Sequence, residues 1–209
     1  MHSTSGIAMT LGGAVTGFLL IGILRFFMMP LPPEPIHYHA NFALVINGES
    51  FDFAQERYMQ DVQACKVNPD DVLPVERAHM HELVPDVAHI HADGVTWGHF
   101  FANVGFTIGD DFVFTDRGDR YFNDDMNRLK FVLNGEQVAS IVNREVVSED
   151  RLLISYGPEP LDVIIQAQFD SIASTASIFN SYHQDAGGCS AGSGEELSTL
   201  QRIKQAFFW

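Results

Sequence analysis

The chain has 209 residues and a formal net charge of −15 at pH 7, from 27 acidic and 12 basic residues. This excess of carboxylates argues against a nucleic-acid-binding protein, whose phosphate contacts need clustered lysine and arginine. A hydrophobic share of 46% is enough for one compact domain with a core, plus additional segments. The charge instead suits the binding of cations.

The N-terminal stretch Ile7–Met29 is apolar apart from Arg25. About 20 apolar residues span a bilayer, so the pattern predicts a transmembrane anchor at residues 1–29, without a cleavage site typical of a signal peptide. The spacing of Gly13 and Gly17 permits close helix packing, which favours a membrane-protein partner or self-association. We predict a single-pass membrane protein and expect its main domain to be extracytoplasmic, whereas Arg25 alone would, by the positive-inside rule, keep that domain in the cytoplasm.

Proline, glycine and apolar periodicity divide the remainder of the chain. The predicted segments are a Pro-rich linker at 30–36, a domain at 37–157, a helix at 158–184, a flexible linker at 185–194 and an amphipathic helix at 195–209. The terminal helix either packs on the domain, lies on a membrane surface or docks on a partner. A disulfide between Cys65 and Cys189 is left open, since two cysteines give no framework.

Alternating apolar residues at His37–Asn47 predict a half-buried strand, and Asn47-Gly48 is a strong signal for a hairpin turn. Phe51–Phe53 is then the returning strand. Trp97–Val104 carries aromatic residues at helical spacing and should form a helix that packs on the sheet.

A second hairpin pattern lies in Leu129–Gly157, LKFVLNGEQVASIVNREVVSEDRLLISYG. This stretch resembles the C-terminal half of β-grasp, ubiquitin-like domains, in particular the small sulfur-carrier proteins. The resemblance implies an α+β fold over residues 37–157: a mixed sheet with one packed helix, between the transmembrane helix and C-terminal helices. Sulfur carriers end in a reactive Gly-Gly, whereas this chain continues through Pro158-Glu159, so their activity is not implied. The whole chain also resembles uncharacterised membrane-anchored archaeal and bacterial proteins with paired histidines.

The histidines are concentrated in three His-x-His pairs, at His37/His39, His79/His81 and His89/His91. Residues i and i+2 of a strand point to the same face, so each pair presents two imidazoles side by side. Imidazole is the commonest protein ligand for metals, and imidazole clusters suit copper and zinc. The pattern predicts that these six residues hold one or two copper or zinc ions. Surface histidines or a pH-sensing cluster are the alternatives.

Three further side chains, those of Glu82, Asp93 and His99, are candidates to support the metal ligands by hydrogen bonding. His99 lies between aromatic residues of the predicted helix, where a packing or hydrogen-bonding role is more typical. A turn within residues 83–86 should bring the second and third histidine pairs together. The paired histidines lie opposite the apolar strand face, so we expect them off the core.

Signatures of common enzyme classes, including G-x-S-x-G, the P-loop, G-x-G-x-x-G and C-x-x-C, do not occur in the sequence. We therefore predict a membrane-anchored protein that captures, delivers or senses copper or zinc. One alternative is a structural or accessory subunit of a membrane protein complex. Another is a metal-dependent oxidoreductase, so the sequence leaves enzymatic activity open. Because only neutral imidazole binds metal, affinity should fall below about pH 6.5.

Overall fold

The computed structural model describes residues 4–29, 36–60, 73–181 and 199–208. The chain divides into two compact units, one formed by Met1–Glu34 with Ser193–Trp209 and the other by Pro35–Gly192. Both cysteines, the predicted 185–194 linker and all but one residue of the 30–36 linker lie outside the described residues.

The regular elements are short apart from the first helix and three of the strands, which have six to nine residues. The helices are α1 (Thr4–Met28), α2 (Pro74–Arg77), α3 (Trp97–Asn103), α4 (Leu161–Ile164), α5 (Ala176–Ser181) and α6 (Thr199–Phe207). The strands are β1 (Tyr38–Ile46), β2 (Glu49–Ser50), β3 (Ala78–His79), β4 (Val87–Ile90), β5 (Thr107–Ile108), β6 (Phe112–Phe114), β7 (Arg120–Phe122), β8 (Arg128–Leu133), β9 (Glu136–Val138) and β10 (Arg151–Gly157). A 3-10 turn, Glu56–Tyr58, follows β2, and a π-helical turn, Ile165–Phe169, continues α4.

In the smaller unit, α6 packs on α1 through aromatic residues. The Phe207 ring lies 5.8 Å from that of Phe18 and rests directly on Gly22, where a Cβ atom would collide with it. The Arg202 guanidinium carbon lies 5.2 Å from the centre of the Phe26 ring. Gly22 therefore permits the close approach of α6, a helix of the same chain.

The prediction of a transmembrane anchor at residues 1–29 is wrong. Within the described part of the chain, no helix is both long and apolar enough to cross a membrane. Five glycines, Thr16 and Arg25 interrupt the apolar residues of α1. The predicted location as a single-pass membrane protein, which depended on this anchor, is therefore also wrong.

The larger unit is an α+β domain built on a mixed sheet. Among the described residues, seven strands join in the order β3-β4-β1-β10-β8-β9, and β2 also pairs with β1. Strands β1 and β10 are parallel and the other pairs are antiparallel. The expected mixed sheet is therefore confirmed, and the first and last strands of the domain lie side by side in it. Its β-grasp resemblance stays a prediction.

Helix α3 covers one face of this sheet, as expected. The side chains of Trp97, Phe100 and Phe101 are fully buried, with ring centres 6.4, 4.9 and 5.6 Å from that of Phe42 on β1. Thr96 caps the helix, because its Oγ1 accepts a hydrogen bond from the His99 backbone N–H. The aromatic helix and its apolar strand face form the main core.

The opposite face of the sheet is also covered, by the segment that follows β10. Val45, Val132 and Leu153 pack there against Ile164 and Phe169. The helix predicted at 158–184 is interrupted within its described part, because the chain leaves helical structure between the π-helical turn and α5. Ser171 Oγ donates to the Gln168 carbonyl, and Arg151 donates to the Phe169 and Ile172 carbonyls, so polar side chains satisfy the interrupted backbone.

Tyr38 lies on the core side of β1, and its hydroxyl donates to the Val146 carbonyl. Burial, reinforced by the nearby carboxylates of Glu145, Asp93 and Asp150, raises the pKa of its phenol to about 12. The unfolded chain, with its phenol pKa at 10.0, then loses this proton first as the pH rises. Stability from neutral Tyr38 is therefore complete below pH 10 and is lost towards pH 12.

Replacement of Tyr38 by phenylalanine should accordingly flatten the alkaline decline in the free energy of unfolding. The measurement is urea denaturation of wild type and variant at successive pH values above 10. Loss of the hydrogen bond lowers the stability of the variant where the phenol is neutral, below about pH 10, and the difference between the two proteins should narrow towards pH 12. Parallel curves for the two proteins would show that the Tyr38 phenol does not titrate as stated.

Candidate metal centre

Three neighbouring strands bring the histidine pairs together. His39 of β1 lies opposite His89 of β4, and His89 lies opposite His79 of β3. Directly opposed residues of an antiparallel pair have Cβ atoms about 4.5–5.5 Å apart, so one row of the sheet carries three adjacent imidazoles. The centres of the His39 and His89 rings are 4.4 Å apart, and those of His79 and His89 are 6.2 Å apart.

The other three histidines join this row at its ends. His37 stacks on His91, with ring centres 4.8 Å apart, and His91 stacks on His79 at 4.9 Å. The ring of His81 lies 3.7 Å from that of His89. All six predicted metal-binding histidines therefore form one connected set, which we call the histidine cluster.

The histidine cluster is buried, contrary to the expectation that its side chains lie away from packed structure. His39 is fully inaccessible, four others are at most 3% exposed, and His37 is half-buried. They do lie on the sheet face opposite α3, as the alternation of β1 predicts, but that face carries α5. Alanine substitution here would thus leave a cavity, which the sequence did not indicate.

Helix α5 supplies this cover through two adjacent residues. The Phe179 ring lies 5.6 Å from that of His39 and 6.0 Å from that of His89. Asn180 Oδ1 lies 2.8 Å from His39 Nδ1 and 2.9 Å from the His39 backbone nitrogen. At the start of the helix, the Ala176 backbone N–H donates to Asn41 Oδ1. Both ends of α5 are thereby attached to β1.

Hydrogen bonds orient the buried imidazoles. His79 Nδ1 lies 2.7 Å from the Val75 carbonyl oxygen, which can only accept, so this nitrogen carries the proton. The Nε2 atom of neutral His79 is then the one with a lone pair for a metal. His39 Nε2 lies 2.9 Å from His89 Nδ1, so one hydrogen bond joins the two neighbouring rings.

The geometry is compatible with a bound ion. One nitrogen each from His37, His39 and His89 lie within 4.8 Å of one another. Nitrogens bound to a single tetrahedral zinc, at about 2.0–2.1 Å from it, are separated by roughly 3.3 Å. Small side-chain rotations are enough to close that difference. The cluster can therefore hold a metal ion.

No known protein family, curated protein or solved structure matches this chain. The function therefore has to be argued from the site itself. The site offers imidazole nitrogens, a buried location and a cover formed by α5.

The predicted supporting residues have different outcomes. Glu82 brings a carboxylate oxygen to 3.8 Å from His81 Nδ1, although its side chain is largely exposed. His99 is outside the cluster: its Nδ1 accepts from the Thr96 backbone N–H, and it lines a separate cavity of about 300 Å³ on the α3 side. Asp93 is exposed and accepts from Arg77 through its backbone carbonyl.

The turn between the second and third histidine pairs begins earlier than expected. Glu82 and Leu83 occupy the left-handed region, with φ of 56° and 57°, and the Val84 backbone N–H donates to the His81 carbonyl. An L-residue in this region costs roughly 1–2 kcal/mol. The strained turn keeps His81 against His89. Neither of its two left-handed positions is a glycine, so no glycine marked a turn there in the sequence.

Sequence reasoning missed Asn180 and Phe179. Both lie within the helix predicted at 158–184, and neither was singled out there as a contact of the histidines. The available signal was Asn41, a polar residue in the middle of an otherwise apolar strand. Its amide binds the Ala176 N–H and the Thr175 hydroxyl, and so fixes where α5 begins.

Proposed function

We propose that this protein binds copper or zinc through the histidine cluster and that its role is to capture, deliver or sense the ion. The observation that supports this most strongly is the convergence of six imidazoles from three strands into one buried set. Polar groups are costly to bury, and a bound ion offsets part of that cost. A divalent cation is the partner that an all-imidazole donor set suits best.

The donor set favours Zn²⁺ and Cu²⁺ over monovalent copper. Cu⁺ prefers soft sulfur ligands, whereas Met80, the nearest thioether in the sequence pattern, packs into the core on the α3 side. Between the two divalent ions, copper binds nitrogen donors more tightly in open competition. The net charge of −15 assists the approach of either cation.

Burial favours holding an ion over catalysis with it. Catalytic metal sites keep a coordination position open to water or substrate, whereas closed sites are fully coordinated by the protein. In this protein five of the six imidazoles are buried and α5 lies over them. Capture, delivery or sensing fits this arrangement better than an oxidoreductase.

Elemental analysis tests the proposal directly. The full chain, purified without a metal-affinity column, is incubated with copper and zinc and passed through a desalting column. We expect at least one equivalent of copper or zinc, removed by a strong chelator and restored on addition of the metal. Near-zero metal after incubation with both ions would overturn the proposal.

A further inference from the structure

The amide of Asn180 has a defined orientation that does not depend on the protonation of any histidine. Its Oδ1 lies 2.9 Å from the backbone nitrogen of His39, and a backbone N–H can only donate. Its Nδ2 donates to Ser148 Oγ at 2.9 Å and points towards Glu149 Oε1 at 3.5 Å. The atom that faces the His39 ring is therefore the oxygen.

This orientation determines the tautomer of His39. Asn180 Oδ1 accepts, so His39 Nδ1, at 2.8 Å, must carry the ring proton. In neutral imidazole the other nitrogen, Nε2, then holds the lone pair. Nε2 points into the cluster, 2.9 Å from His89 Nδ1. An ion bound to Nε2 takes the place of that hydrogen bond.

The same contact links the ion to α5. A metal on Nε2 withdraws electron density from the imidazole and makes its Nδ1–H a stronger hydrogen-bond donor, and such outer partners in turn support the ligand. The attachments of α5 through Asn41, and those of Asn180 Nδ2 to Ser148 and Glu149, involve no predicted metal ligand. The His39–Asn180 contact is thus the attachment whose strength depends on whether an ion is present.

We propose that α5 is a metal-coupled clasp, in which Asn180 is a positioning residue that holds His39 Nε2 towards the ion. The proposal rests on metal binding by the histidine cluster. Linkage is reciprocal. The ion therefore stabilises the closed position of α5 by the same free energy by which closed α5 strengthens binding of the ion. The ion is accordingly held more weakly when the His39–Asn180 contact is open.

The test compares three variants of the full chain. Asn180→Leu keeps the size of the side chain and removes the acceptor, Asn180→Asp keeps an acceptor, and Ser177→Ala alters the same helix at an exposed position. Loss of an outer partner of a ligand costs about 10–100-fold in metal affinity. We expect a weakening of that size for Asn180→Leu, seen as faster transfer of zinc to a chelator. Asn180→Asp, whose added carboxylate oxygen faces Glu149, should lose less affinity, and Ser177→Ala should behave like wild type.

Two measurements separate positioning from a merely structural role. Nitrogen-15 NMR of the histidine rings should show His39 protonated at Nδ1 in wild type and Asn180→Asp, and a mixture of tautomers in Asn180→Leu. Hydrogen exchange of the α5 amides in wild type should slow on addition of zinc. This second measurement needs no variant, so it decides the matter even if Asn180→Leu does not fold.

The outcomes distinguish the clasp from the proposed function. A wild-type protein that takes up no metal overturns both. Zinc uptake by wild type, with unchanged α5 exchange or with wild-type release from folded Asn180→Leu, overturns the clasp and leaves the function standing. Equal loss of affinity in Asn180→Asp and Asn180→Leu also contradicts it, because only one of them lacks an acceptor.

Discussion

Substitution of His89 by alanine should lower the affinity for copper or zinc by more than about 100-fold. His89 is central: its ring contacts those of His39 and His81, and it belongs to the group of three whose nitrogens lie within 4.8 Å. Removal of an outer partner alone costs about 10–100-fold in affinity, so loss of a ligand should cost more. Competition with a chromophoric chelator measures the effect.

His99→Ala is the matched control, because the same residue type is lost from α3, outside the cluster. It should retain wild-type affinity. Since His89 is only 1% exposed, alanine also leaves a cavity, and His89→Gln provides a variant of similar size. Wild-type affinity in folded His89→Gln and His89→Ala would remove His89 from the ligand set.

Substitution of Phe42 by alanine should lower the free energy of unfolding of the metal-free protein by about 3–5 kcal/mol. The side chain is 1% exposed, and its ring contacts those of Phe53, Phe100 and Phe101. Alanine removes these contacts and leaves a cavity between β1 and α3. Urea denaturation followed by circular dichroism measures the change.

Phe122→Ala is the control for this prediction, since the Phe122 residue is 52% exposed. Its ring contacts those of Phe112 and Phe114 at 6.1 and 5.4 Å, and we expect a loss below about 1 kcal/mol. Equal losses for the two variants would mean that Phe42 does not occupy a closely packed core between β1 and α3.

Local sequence signals predicted the turns well. Asn47 and Gly48 adopt φ of 52° and 81°, and Asn134 and Gly135 adopt 53° and 87°, the conformations that tight hairpins require. The returning strand was placed less well: β2 covers Glu49–Ser50, and Phe51 and Phe53 turn into an aromatic cluster instead. Turn chemistry is local, whereas the length of a short strand depends on what it packs against.

The histidine pairs were predictable, and their burial was not. The period of two along a strand put both members of each pair on one face, and the register of β1, β4 and β3 aligned the pairs. That face is covered by α5, which lies nearly 90 residues after His91 in the sequence. Neither the break that creates α5 nor its attachment through Asn41 has a periodic signature.

The N-terminal prediction failed for a related reason. Hydropathy alone assigned Ile7–Met29 to a membrane, while part of the apolar surface of α1 packs against Phe207 of α6 within the same chain. An apolar helix needs an apolar neighbour, and sequence composition does not say which one it finds.

The order of the elements along the chain has a consequence for biosynthesis. Residues of the histidine cluster end at His91, and Asn180 follows about 90 residues later. At about 5–20 residues per second, a ribosome needs roughly 4–18 s to make that stretch. During this interval the nascent polypeptide already carries all six imidazoles but not the helix that buries them, so an ion can enter while translation is still under way.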